Sequence, residues 1–134
     1  RAVVEGAVDR ARRTMVTDPV AAMASVAGFE IVAMAGAIAA AAQCDLPVVL
    51  DGVVSGAAAI IAQAVDPAGL DTAIASHVSA EPAHRLALDR LGLRAFLEWD
   101  LRLGEGTGAL LMIPMLDAAA ALTAKVAKLD EVTG

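Results

Sequence analysis

Aromatic side chains make up only 2% of this 134-residue sequence. That scarcity excludes a large aromatic ligand cage and predicts tight packing between small side chains. Cysteine is nearly absent too. Cys44 stands alone, so neither a disulfide framework nor a Cys-based metal site can be assembled within one chain, and a reducing compartment fits. With no nearby histidine or cationic cluster to activate it, Cys44 reads as a small buried residue closing a helix rather than as a reactive thiol. Charge is also scarce, at 19% of residues, and tilts acidic to a net −6 with a pI near 4.7. A surface that tracks nucleic-acid phosphates needs clustered Lys and Arg, so a nucleic-acid partner is not expected. The short run Arg10, Arg12, Arg13 reads as a solvated helix face. No long hydrophobic run stands out. The most membrane-like stretch, Ile31 to Ala42, is roughly a dozen residues where a spanning helix needs about 20, and Glu30, Gln43 and Asp45 bound it. It reads as a buried core helix. The opening VVEGAVDRARR lacks the apolar centre of a signal peptide, so the expectation is a soluble, cytoplasmic protein with no membrane partner.

What the sequence has in quantity is apolar mass, 58% of residues, much of it alanine. Alanine buries little area but favours helices and lets them approach closely. The length suits one compact unit. Apolar spacing over residues 2–15 predicts an amphipathic helix built on Val3, Val4, Ala7, Ala11 and Met15. Asp18-Pro19 predicts an N-cap and first helical residue, with Gly28 closing that helix before a third runs from about Glu30 to Gln43. LPVVL, Leu46 to Leu50, is too short for a helix and reads as a buried parallel strand that leaves Asp51 at its carboxyl end. Val53 to Val65 resumes helical composition and stops at Asp66-Pro67-Ala68-Gly69, and Asp71 to Ser76 is a weaker strand candidate. Glu81-Pro82 starts a helix ended by Gly92, with Leu86, Leu88 and Leu91 on its inner face. LRAFLEW then connects to a short strand from Asp100 to Leu103, a glycine loop, and a long helix from about Thr107 to Leu129, interrupted or bent near Pro114.

Strands alternating with helices predict an α/β layered fold with parallel pairing, whose ligands gather at the carboxyl ends of the strands. One strong strand and two weak ones are too few for an ordinary covered sheet, and the chain begins at Arg1 rather than a Met, which suggests the C-terminal part of a larger enzyme. Three segments fall where such a fold exposes them: VVLDGVVSG, ASHVSAEP and LRLGEGTGA. In the last, Gly104, Gly106 and Gly108 let backbone N–H groups approach a ligand at a helix start. Glu105 would itself occupy that favourable field, so the loop suits presentation of an ionised carboxylate, a general base, against the plainer alternative of a helix-start charge in a flexible turn. Ser79 is either an N-cap or a phosphate contact at the start of the following helix. His77 reads as a hydrogen-bonded structural histidine more readily than as a base. Asp51 either holds its own turn or meets a ribose. Met34, Met112 and Met115 read as core. No Ser-His-Asp triad is legible, and two histidines with scattered carboxylates do not make a metal site.

The ordered set GFEIVAMAGAIAAAA, PVVLDGVVS, ASHVSAEPAHRLAL and LRLGEGTGALLMIPMLDAAAAL, between about residues 18 and 129, resembles the C-terminal portion of the nicotinate-nucleotide:dimethylbenzimidazole phosphoribosyltransferase family. The resemblance implies phosphoribosyl transfer from nicotinate mononucleotide to 5,6-dimethylbenzimidazole, giving α-ribazole 5′-phosphate and nicotinate in assembly of the cobalamin lower ligand, with no metal and no cofactor. It implies that Glu105 is the catalytic base and that Ser79, Arg102, Leu103 and Gly104 contact substrate, with Asp51 shaping the site. It further implies a homodimer in full-length form and a large Rossmann-like α/β domain, a layered parallel sheet with flanking helices. Residues 1–110 would belong to the C-terminal part of that domain, and residues 111–134 would contribute a helix to a small helical domain. Ala27 stands where the family commonly has the first of two glycines. The family's glycine-rich phosphate loop and second glutamate have no counterpart here, so the alternative is a non-catalytic α/β binding or interaction fragment.

Overall fold

A computed structural model describes residues 1–127 of the chain. Six α-helices and four short strands follow one another: α1 (Ala2–Met15), α2 (Pro19–Ala24), α3 (Phe29–Gln43), β1 (Val48–Leu50), α4 (Val53–Val65), a 3₁₀ turn (Pro67–Leu70), β2 (Ala73–Ala75), β3 (His77–Ser79), α5 (Pro82–Leu91), β4 (Leu97–Leu101) and α6 (Thr107–Lys125). All strand pairing is parallel, with β1 on β2 and β3 on β4. The single residue Ser76 separates β2 from β3, and one extended segment therefore pairs with β1 through its first half and with β4 through its second. Helices flank both pairs, which is the layered α/β arrangement expected from the sequence.

Local chemistry explains several element ends. The Asp18 carboxylate accepts the Ala21 N–H at 2.9 Å and starts α2. Asp66 does the same for Ala68 at 3.0 Å in the 3₁₀ turn. Gly92 ends α5, as its position predicts. Gly28, however, does not close α2: that helix stops at Ala24, where the Ser25 hydroxyl turns back to the Ala22 carbonyl, and Gly28 instead precedes α3 as its extended N-cap.

The core is mostly alanine against branched side chains. Ala35 and Ile38 of α3 meet Ala58, Ala59 and Ala62 of α4, over Leu50, Leu70 and Leu91. Small residues on α4 bring its axis close to α3, so packing comes from proximity rather than from large side chains. Only that one face of α3 is buried, so the Ile31–Ala42 run expected as a buried core helix is half covered, and Phe29 at the helix start is 95% exposed. Cys44, which caps α3, lies off the covered face and is exposed rather than buried. On α5 the inner face is His84, Ala87, Leu88 and Leu91; Leu86 points outward. The last strand runs over Leu97–Leu101 rather than from Asp100 to Leu103, which frees Arg102 to Gly104 as loop. α6 continues through Pro114 and stops at Lys125, short of the expected Leu129, a residue outside the described ones. Met112 is buried, but Met115 is exposed. By length and composition α6 is apolar enough to cross a membrane, which the Ile31–Ala42 run is not. Its first turn is nonetheless fastened to the end of β1 through Asp51.

Candidate active site

The carboxyl ends of β1, β3 and β4 open into one cavity of about 330 Å³. The three segments singled out in the sequence meet there: Asp51 to Ser55, Ser79 to Glu81, and Leu101 to Gly106. All five expected site residues, Ser79, Arg102, Leu103, Gly104 and Glu105, line it. Met34 reaches its wall from α3 while also touching the core, so it is more than a core residue. His77 does not reach the cavity and is buried behind it.

The helix start that sequence reasoning left open to a ligand or to Glu105 is already filled. Asp51 lies against the first turn of α6, where its Oδ1 accepts the N–H groups of Gly108 at 2.8 Å and Ala109 at 3.1 Å, and its Oδ2 accepts that of Gly106 at 3.2 Å. A carboxylate placed on three amide donors at the positive end of a helix satisfies those donors and the dipole together. Among the described residues Asp51 thus spends its carboxylate on a distant helix start and makes no side-chain hydrogen bond within its own turn. It pins the catalytic-loop candidate to β1.

With its amides taken, the loop presents a side chain instead. Glu105 has φ 61° and Gly106 φ 80°, two consecutive left-handed residues. Gly106 adopts that conformation freely, whereas for Glu105 it costs on the order of 1–2 kcal/mol. In that conformation the Glu105 side chain is exposed and, among the described residues, makes no hydrogen bond or ion pair. The loop is braced again on the far side, where the Thr107 hydroxyl donates to the Gly104 carbonyl at 2.8 Å. Gly108 meets a different demand: a Cβ there would overlap the His77 ring, so the imidazole lies directly on the helix backbone.

Behind the cavity, the Ser76 hydroxyl donates to the Leu50 carbonyl at 2.7 Å and sits 3.0 Å from His77 Nδ1, which is also 3.8 Å from Asp51 Oδ1. His77 is thus the structural histidine expected. Ser79 is not an N-cap, because Glu81 precedes α5 and no side chain caps it. Its backbone N–H and its Oγ both lie 3.0 Å from His84 Nδ1. Sequence reasoning gave His84 no role. The available signal was its place in the first turn of a helix, from which a side chain can reach back over the preceding turn to Ser79. Burial pushes the His84 pKa below the ordinary imidazole value; neighbouring His77 pushes the same way, and the Asp51 carboxylate opposes both. Among the described residues no three His, Cys, Asp or Glu side chains gather to hold a metal ion.

A family model described as phosphoribosyltransferase matches residues 1–133. The chain belongs to this family. Family members named nicotinate-nucleotide–dimethylbenzimidazole phosphoribosyltransferase include one from Syntrophotalea carbinolica, 44% identical over 127 residues, which cover 92% of this chain and 36% of that protein. Another, from Desulforudis audaxviator, is 50% identical over 114 residues, covering 85% and 32%. A crystal structure of the enzyme so named from Thermus thermophilus superposes with a TM-score of 0.77 at 44% identity, covering 83% of this chain and 33% of that one. The chain thus spans about a third of the length of these family members.

Proposed function

We propose that the protein carrying this chain transfers the phosphoribosyl group of nicotinate mononucleotide to 5,6-dimethylbenzimidazole, with Glu105 as general base. The observation that carries the reading is the Glu105 carboxylate, held at the rim of the cavity on a strained, doubly braced loop and without a protein partner among the described residues. The names of the family members support the substrate pair.

The chemistry needs such a group. One benzimidazole nitrogen attacks the anomeric carbon as the bond from that carbon to the nicotinate nitrogen breaks, its electron pair leaving with nicotinate. The attacking ring becomes positively charged, and the proton on its other nitrogen passes to Glu105. A fixed carboxylate stabilises that charge as it develops and then takes the proton. The neighbouring backbone of Gly104 and Gly106 carries no side chain to obstruct a flat ring. Leu103, 70% exposed, supplies apolar surface for that ring. Arg102 and Ser79 line the same cavity and are assigned to the ribose-phosphate part of the donor. We take the full-length protein to act as a homodimer.

Glu105→Gln in the full-length protein keeps the loop and removes the base. Turnover should fall by about 10²- to 10⁴-fold with nicotinate mononucleotide binding retained; unchanged turnover would remove Glu105 from the mechanism and the assignment with it.

A further inference from the structure

Two imidazoles that the transfer chemistry leaves idle lie side by side behind the cavity. His84 and His77 are 0% and 1% exposed, with ring centroids 5.8 Å apart and nearly edge-to-face. Their partners fix where the protons are. The Ser79 backbone N–H can only donate, so His84 Nδ1, at 3.0 Å, must offer a lone pair, and the proton of the neutral ring sits on Nε2. The Ser79 hydroxyl, 3.0 Å from the same nitrogen, is a second donor on that one lone pair. On the other ring, Ser76 Oγ has already donated to Leu50 and can only accept, which places the His77 proton on Nδ1. His77 therefore donates to Ser76, with Asp51 3.8 Å away, and His84 backs Ser79.

We propose that neutral His84 is a positioning residue for donor binding: it anchors Ser79 through the backbone N–H, leaving the Ser79 hydroxyl free to turn from Nδ1 to a phosphate-ester oxygen in the cavity. This rests on the reading of Ser79 as a ligand contact. Two donors share one acceptor, so the hydroxyl can leave while the amide bond remains and the main chain keeps its place. Protonation would reverse the arrangement. An imidazolium has N–H at both nitrogens, so its Nδ1–H would oppose the Ser79 N–H and force the segment away from the cavity. Nε2 has no hydrogen-bond partner among the described residues, so the charged ring would gain nothing at its other end.

The surroundings agree. His84 is faced by His77 from β3 and by Asp51 beyond β1. α4 packs against it with Gly56 and has no titratable side chain along its length, while Glu81, Arg85, Asp89 and Arg90 on or beside α5 and Glu105 in the α6 loop are exposed. Burial dominates this balance and keeps the ring neutral near neutral pH.

The test uses the full-length protein and nicotinate mononucleotide, with titration calorimetry and steady-state kinetics between about pH 5 and about pH 8. Wild-type affinity should fall, and KM rise with kcat nearly unchanged, as pH drops through the His84 pKa. His84→Asn places an uncharged acceptor where Nδ1 was, so it should hold wild-type affinity at the upper pH and show a smaller acid-side decline than wild type, the remainder coming from the ligand's own phosphate. His84→Leu removes the acceptor and should weaken binding about tenfold at every pH. Imidazole ¹⁵N shifts of the wild type, which need no variant to fold, should show Nδ1 of His84 unprotonated at the upper pH. A proton on Nδ1, or an acid-side decline unchanged in His84→Asn, overturns the inference. Ser79→Ala separates the two layers: full affinity there sinks the reading of Ser79 as a ligand contact, whereas weakened Ser79→Ala beside a tight-binding His84→Leu sinks only the role of His84.

Discussion

Three helix starts line the cavity, those of α4, α5 and α6, and the last two are finished in opposite ways. At α6 the amides of Gly106, Gly108 and Ala109 are consumed by the Asp51 carboxylate, brought from β1. At α5 no side chain caps the helix, and the segment before it is held from behind by His84. Each start is preceded by a glutamate, but Glu105 is left-handed and strained whereas Glu81 has an ordinary φ of −73°. A helix start whose donors are already satisfied has little left for an anion and serves as a rigid mount for the residue before it. One that is uncapped keeps room for ligand oxygens.

The contrast breaks most severely at the mount. Gly108→Ala should lose about 3 kcal/mol in urea unfolding, because the new Cβ overlaps the His77 ring, which has no room to move. Asp51→Ala should cost about 2–3 kcal/mol, since three amides lose a charged acceptor, and should lower turnover as the Glu105 loop comes loose. Asp51→Asn should lose less, because its amide oxygen still accepts from Gly108 and Ala109. A smaller effect of opposite sign is expected from relieving the strain. Glu105→Gly should raise stability by up to about 1 kcal/mol while abolishing turnover, and Glu81→Gly should give no such gain. Equal responses at the two positions would erase the distinction between the two helix starts.

The smallest effect is a pH dependence at α5. His84 has a folded-state pKa depressed below about 6.5, so between the two values the unfolded chain binds more protons than the folded one. Its contribution to stability is therefore complete above the unfolded value and is lost as pH falls below it towards the folded one. His84→Asn should flatten the urea midpoint over that window relative to wild type.

Helix positions were legible wherever a local residue sets the boundary. Asp18 caps α2, Pro82 suits the first helical position of α5 and Gly92 ends that helix, and α4 runs over the expected residues. The cavity was legible too, because the turns after parallel strands converge on one edge and the five expected site residues lie in two of them. What escaped was set by partners distant in sequence. β3 follows β2 after one residue and exists only because its pairing switches to β4, which composition does not record. The bond from Asp51 to Gly108 spans 57 positions, so Asp51 read as turn chemistry and the α6 start read as vacant. Leu86 and Cys44 were misplaced for another reason: apolar residues on partly covered helices do not say which face a neighbour will take.

Gly108 has one consequence for α6 as a whole. At 19 residues the helix is about 28 Å long, yet it is registered against the sheet near one end, where an imidazole lies on its bare backbone. Turning the helix by one residue would carry the Cβ of Thr107 or Ala109 into that ring, so α6 has a single permitted setting about its axis, like a keyed shaft. A torque applied at the far end would meet resistance at the key, three residues from Glu105, and the aim of that carboxylate is thereby indexed to the sheet and not to whatever packs along the shaft.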